Sequence, residues 1–404
     1  MPPDTPPAGA PPITYLYFGT DWDAENRTSA HHVARWLAGR AQLRYFECPG
    51  LRAPKTTGRD LRRLIAKVAG AFGRTRRPSD TVEVRTLLQL PFRRVPGVRE
   101  FNRWWLRQSV HRVAARARRD GGAVVAWFAV PHVGTLAGEI GEDLTVQYCV
   151  DDYSALPDVD ATEVAAMDAA LSARADIVFV TSATLLDRKR EIAKQVAVAP
   201  HGVDVDHFRN AAIAGPLPED MRDLHGPVIG FFGLIEAWID LDLVAELAAR
   251  HPDWNFVMIG RVAVPAGAIP DRRNLHFPGR RSYEVLPLYG RRFDVSIIPY
   301  RMTTQVHHAN PIKLREYLAM EKPIVAVSTP EIDKFADVVT IATGVDEWDV
   351  AIAAALAQGD RTAERAAMRA AADLMTWDAR LLRIETIVAD ALAGRPFTPP
   401  PVSR

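Results

Sequence analysis

Two cysteines in 404 residues, Cys48 and Cys149, are too few and too far apart for a disulfide framework or a zinc-ligand spacing. Long apolar runs are lacking too: the longest, such as Ala123 to Val130, fall far short of the ~18 residues that span a bilayer. The N-terminus lacks a basic segment followed by an apolar core, so no export signal is read there. These absences point to a protein of the reducing cytoplasm that does not cross a membrane. Metal ligands are scarce as well. The pairs His31-His32 and His307-His308 have no third ligand at a fitting spacing, so no metal is expected.

The chain has little net charge, +1, and its content of 48% apolar and 25% charged residues is ordinary for a soluble globular protein. Its length suggests two domains. The even balance hides an asymmetry. Residues 51–120 carry 19 Lys and Arg against 5 Asp and Glu, and the remainder carries 31 against 44. A basic block interleaved with aromatic residues implies an anionic partner, lipid headgroups or nucleic acid. No nucleic-acid recognition motif occurs within it, so nucleic acid is not expected.

Read in order, residues 1–12 form a Pro-rich disordered tail. A strand from Ile13 to Phe18 ends at Gly19 and Asp21, Ser29 caps a helix carrying Val33, Trp36 and Leu37, and Gln42–Glu47 is a second strand. Helical periodicity covers Leu61–Phe72 and Val98–Arg119. In the second helix Arg99, Arg103 and Arg107 with Trp104 and Trp105 suit a membrane interface, the rings at headgroup depth and the guanidinium groups on phosphates. Ala123–Val130 reads as a buried strand before His132, and Leu144–Val150 as another that ends in Asp151 and Asp152. Ligands gather at the carboxyl ends of parallel strands, and two adjacent carboxylates repel, which can raise one towards the pKa of a general base. Helices over 164–175 and 183–195 flank the strand Asp176–Ser182, whose Ser182 caps the second helix, and Val196–Asp204 reads as strand then turn and carries His201. A linker is read at 211–226, followed by a second α/β run. Its first strand carries Gly230 and Gly233, its second ends at Gly260-Arg261, and a third precedes Gly279, Arg280 and Tyr283. One helix is read over 363–392 and a second Pro-rich tail over 396–404.

The stretch Gln305–Val327 organises this second run. Asn310 is a good N-cap, Pro311 fits the first helical position, and Leu314, Tyr317 and Leu318 recur at helical spacing before the strand Ile324–Val327. The helix start presents unpaired N–H groups, and Lys313 adds a full charge, so an anion can sit there. Glu316 lies three residues on and can accept from two neighbouring hydroxyls such as those of a ribose. A solvated Lys313–Glu316 pair explains the same spacing.

The run Asn310-Pro311-x-Lys313-x-x-Glu316-Tyr317-Leu318-Ala319-x-x-Lys322-Pro323-Ile324-Val325 resembles the donor-binding helix of bacterial polysaccharide glycosyltransferases of the GT-B group (group 1, family 4-like). Ala175–Ser182 and Pro200-His201-Gly202-Val203-Asp204-x-x-x-Phe208 are similar to two further signatures of that group, and the likeness spans residues 13–392. It implies an α/β fold of two Rossmann-like parallel-sheet domains facing across a cleft: an acceptor domain over 13–210 and a nucleotide-sugar domain over 227–375. A C-terminal helix over 376–395 would pack back towards the first domain. Gly230, Gly233, Arg261, Gly279, Arg280, Tyr283, Asn310, Pro311, Lys313 and Glu316 would hold the donor, a UDP- or GDP-sugar. Gly19, Asp21, His132 and His201 would line the acceptor side, and Asp151 or Asp152 would take the acceptor proton if the reaction inverts. Many retaining members carry a Glu where this chain has His308, which favours inversion. The implied enzyme is a cytoplasmic glycosyltransferase, peripheral on the inner face of the membrane. It would need no cofactor or metal, and its acceptor would be a lipid-linked or other cell-envelope glycan. Alternatives are a sugar-nucleotide epimerase of the same architecture, a catalytically dead homologue, and a non-enzymatic protein binding anionic surfaces.

Overall fold

The computed structural model describes residues 12–24, 28–48, 75–87, 96–156, 159–210 and 215–399. The expected helix Leu61–Phe72 and most of both expected tails lie outside the described residues. The chain divides into two compact units, residues 1–199 with 383–402 and residues 200–382 with 403–404.

The first unit is built on strands β1 (Ile13–Gly19), β2 (Gln42–Glu47), β3 (Arg76–Ser79), β4 (Val82–Thr86), β5 (Ala123–Phe128), β6 (Leu144–Cys149), β7 (Ile177–Val180) and β8 (Val196–Val198). They lie in the order β3-β4-β2-β1-β5-β6-β7-β8, parallel except for the β3–β4 hairpin. Successive side chains of a strand point to opposite faces, so the registered triplets Tyr45–Tyr17–Trp127 and Phe46–Phe18–Phe128 form two aromatic ladders, one on each face. Ring centroids along the second lie 5.1 and 4.6 Å apart. The helix Val98–Arg119 buries Leu106, Val110, Val113 and Ala117 in this core and leaves its arginines outside.

The second unit holds β9 (Val228–Phe232), β10 (Asn255–Ile259), β11 (Leu275–Gly279), β12 (Val295–Ile298), β13 (Ile324–Ala326) and β14 (Thr340–Ile341), all parallel, in the order β11-β10-β9-β12-β13-β14. Numbered within the unit this is 3-2-1-4-5-6, the doubly wound order whose direction reverses between the first and fourth strands. Both sheets reverse in this way, at β1/β5 and at β9/β12.

Several local expectations are corrected. Thr28, not Ser29, caps the first helix, in a box closed by His31. The helix expected over 183–195 stops at Lys189. The single helix expected over 363–392 is two, Thr362–Asp373 and Trp377–Leu392. The break has a cause: Val203 N–H donates to the Met375 carbonyl, and Gly202 has no side chain because a Cβ there would lie 2.7 Å from the Trp377 Cα. The change of unit comes at residue 200, earlier than the expected linker, since Val203, Phe208 and Met221 are buried in the second unit's core.

Candidate functional site

The reversal point of the second sheet gathers the residues that matter. Gly233 follows β9 and Gly260 follows β10, both at φ +150°, and Gly279 closes β11. Gly233 N–H donates to the Ile259 carbonyl and Gly260 N–H to the Gly279 carbonyl. A Cβ on Gly260 would fall 1.7 Å from the Gly233 carbonyl oxygen, so only bare backbone fits here. Gly260 was not among the expected site residues; its position directly after a buried strand was the signal.

The helix Ile312–Ala319 runs from this edge. Its capping residue is Pro311, and no side chain caps it. Asn310, expected as the cap, is turned away: its amide donates to Glu331 at 3.0 Å, and Lys334 donates to the same carboxylate at 2.7 Å. The first N–H groups of the helix therefore remain available to a ligand. Lys313 reaches back over the end of β9. A Cβ on Gly233 would lie 1.9 Å from its Cε and 2.7 Å from its Nζ, and the ammonium sits 5.7 Å from the Phe231 ring centroid.

Glu316 decides between the two readings of its spacing from Lys313. Its side chain is buried, 6% exposed, and no ion pair joins it to Lys313 among the described residues. No hydrogen bond to its carboxylate forms among them either. Burial pushes its pKa up to about 7, with Lys313 opposing the rise. A solvated surface pair is thus excluded. A largely buried carboxylate with no protein donor is open to donors from a ligand, and a vicinal diol would supply two. Tyr317, one residue on, accepts the Phe232 N–H through its hydroxyl at 3.0 Å and so pins the helix to the end of β9.

Other expected donor residues divide. Gly230 lies inside β9, where a Cβ would meet the Phe293 ring at 2.2 Å; it serves packing below the strand end. Tyr283 is buried, stacked on His207 at 4.6 Å, so its ring is taken. Arg261 and Arg280 are exposed. His201 is buried and precedes Gly202 in the segment where Val203 bridges to Thr376.

No protein-family model matches the chain. It is 25% identical over 235 residues to the putative teichuronic acid biosynthesis glycosyltransferase TuaH of Bacillus subtilis, covering 54% of this chain and 59% of that one. Among solved structures it is similar to HepE of Anabaena in complex with UDP and glucose, at TM-score 0.62 and 14% identity over 95% of this chain and 99% of that one. An α,α-trehalose-phosphate synthase (UDP-forming) from Burkholderia vietnamiensis gives the same TM-score and identity over 95% and 99%. The chain has the GT-B fold.

The first unit's sheet reverses between β1 and β5. Gly19 ends β1 beneath Tyr45, whose hydroxyl would lie 2.2 Å from a Cβ there, so packing explains this glycine. Asp21 is exposed, and its carbonyl accepts from His31 Nε2 at 2.8 Å. His132 follows β5 and lines a cavity of about 320 Å³ with Asn102, Glu163 and Met167. After β6, Asp152 is committed. Burial raises its pKa, but hydrogen bonds from Ser154 and a close ion pair with Arg188 outweigh that and hold it below the usual value. The repulsion expected from the adjacent Asp151 does not decide its state. Asp151 is half-buried and accepts the Asp152 N–H at 2.8 Å.

Proposed function

We propose that this protein is a glycosyltransferase that moves a sugar from a UDP- or GDP-sugar to a hydroxyl of a lipid-linked or other cell-envelope glycan. The observation that carries the donor half is Glu316, a buried carboxylate without hydrogen-bond donors, one turn from an ammonium at the end of β9. The ribose diol donates to Glu316. Lys313 and the uncapped helix start meet the diphosphate, and they act most strongly as charge builds on the leaving group. Gly233 and Gly260 let the phosphates approach bare backbone.

The first unit holds the acceptor in this reading. Asp151 is the base of an inverting transfer, because Asp152 is held ionised by Arg188 and Ser154 and is a weak proton acceptor. His308 stands where a retaining enzyme would offer a second acid, which supports inversion. The reaction runs without a metal, Lys313 and the helix start supplying the positive charge.

The acceptor is lipid-linked on this proposal, and the helix Val98–Arg119 rests on the membrane. Phe101 and Trp104 are 45% and 55% exposed and cluster with Trp105 at centroid distances of 6.0 to 6.5 Å. Arg107 is exposed beside them, while Arg99 and Arg103 are paired with Glu163 and Glu139. No helix among the described residues is long and apolar enough to cross a membrane.

A thermal-shift panel of UDP, GDP, TDP and ADP tests the donor site. At about 100-fold over Kd the accepted nucleotide stabilises by about 2.7 kcal/mol. Lys313→Ala and Glu316→Ala each lose that shift; retention in both sinks the assignment.

A further inference from the structure

A second charged basin lies in the first unit, between the β3–β4 hairpin and the helix Val98–Arg119. It has a volume of about 650 Å³, and five arginines line it, Arg44, Arg77, Arg85, Arg112 and Arg116, against Asp80, Glu83 and Asp120. The surplus is two positive charges. Glu83 is already engaged, accepting from Arg85 Nε at 2.8 Å with Arg44 Nε at 3.7 Å. Arg77, Arg112 and Arg116 form no ion pair among the described residues. Burial lowers the Arg44 pKa; Glu83 opposes this, and Arg116, Arg77 and Arg85 add to it, the sign of a cationic field inside the basin.

Such a grouping is unfavourable on its own. Arg112 and Arg116 stand one turn apart on one helix, a like-charged pair that weakens an isolated helix. The arrangement makes sense if an anion completes it. Guanidinium forks match phosphate oxygens in pairs, and several forks around one basin suit a group that presents two or more oxygens to more than one of them, as a phosphate does. The volume is that of a small-ligand site.

The basin is separate from the aromatic membrane patch. Arg103 to Arg112 and Arg107 to Arg116 are nine residues each, about 2.5 turns, so the two arginine rows lie on opposite flanks of the buried stripe. We infer that the basin is a binding site for a phosphate-bearing anion, either a free phosphate ester or the headgroup of a phospholipid. This does not rest on the glycosyltransferase reading.

Calorimetry with inorganic pyrophosphate and co-sedimentation with phosphatidylglycerol vesicles test the inference on the full chain. The variants are Arg112→Ala/Arg116→Ala, Arg112→Lys/Arg116→Lys and Lys313→Ala. Arg112 and Arg116 are exposed, so the melting temperature should hold. The expected result is that pyrophosphate binding weakens about tenfold or more in the double alanine variant, partly returns with lysine, and persists in Lys313→Ala. If only vesicle binding weakens in the double alanine variant, the anion is a headgroup and the site stands. The inference is overturned if neither probe binds, if the double alanine variant binds both as the wild type does, or if only Lys313→Ala loses pyrophosphate.

Discussion

A carboxylate buried without an ion-pair partner makes stability depend on pH in a direction opposite to that of a salt-bridged one. Glu316 has its pKa raised from 4.5 to about 7, so between those values the folded chain holds more protons than the unfolded chain, and stability falls as pH rises. The loss is complete above pH 7 and amounts to about 3 kcal/mol at 1.36 kcal/mol per unit. Glu316→Gln should match the wild type near pH 4.5 and exceed it at pH 8, as read by chemical denaturation at both values. Ligand binding should run the other way. Ribose hydroxyls donate to the ionised form, so affinity for a UDP-sugar falls up to tenfold per unit below pH 7, and Glu316→Gln binds weakly at every pH. A flat wild-type profile would count against the diol contact. Spacing placed Lys313 and Glu316 on one helix face, but a bare pair at i and i+3 reads the same whether solvated or buried. Only the packing around Glu316 separates the two.

Two glycines, Gly230 inside β9 and Gly233 just past its end, give a test at the level of the element. Gly230→Ala meets the Phe293 ring and should destabilise by about 1–3 kcal/mol, while the folded protein keeps its nucleotide affinity. Gly233→Ala has a similar stability cost from its φ of +150°, about 1–3 kcal/mol, but it also drives a methyl group into Lys313 and should abolish nucleotide binding. Titration of UDP against both, below their melting temperatures, separates packing from site. Equal losses of affinity would show that the end of β9 is not where the anion sits. Most strands could be read from the sequence because parallel strands buried on both faces are short apolar runs. The β3–β4 hairpin was missed: all four residues of β3 are exposed, so no burial pattern marks it. Asn310 does not cap the helix because its amide nitrogen donates to Glu331, 21 residues away, and that bond fixes where the side chain points.

For the whole molecule, the membrane proposal predicts that sedimentation with anionic vesicles weakens at high salt, as screening shortens the reach of Arg107. Trp104→Ala should weaken it further without lowering the melting temperature, because the ring is 55% exposed. Wild-type protein that stays in the supernatant at every salt concentration removes the proposal. Outside the β3–β4 hairpin and the break before Trp377, the main strands and helices could be read in order from the sequence, since apolar periodicity and turn residues are local properties. The local signatures around Asp176, His201 and Lys313 likewise pointed to the GT-B fold. Tertiary structure decided what depends on distant neighbours: the unit boundary at residue 200, the break before Trp377, and the commitment of Asp152 to Arg188. It also showed that Glu316, beside Lys313 on one helix face, is buried. Whether a carboxylate is solvated or kept from water is a property of everything packed around it, and no spacing within one helix records that.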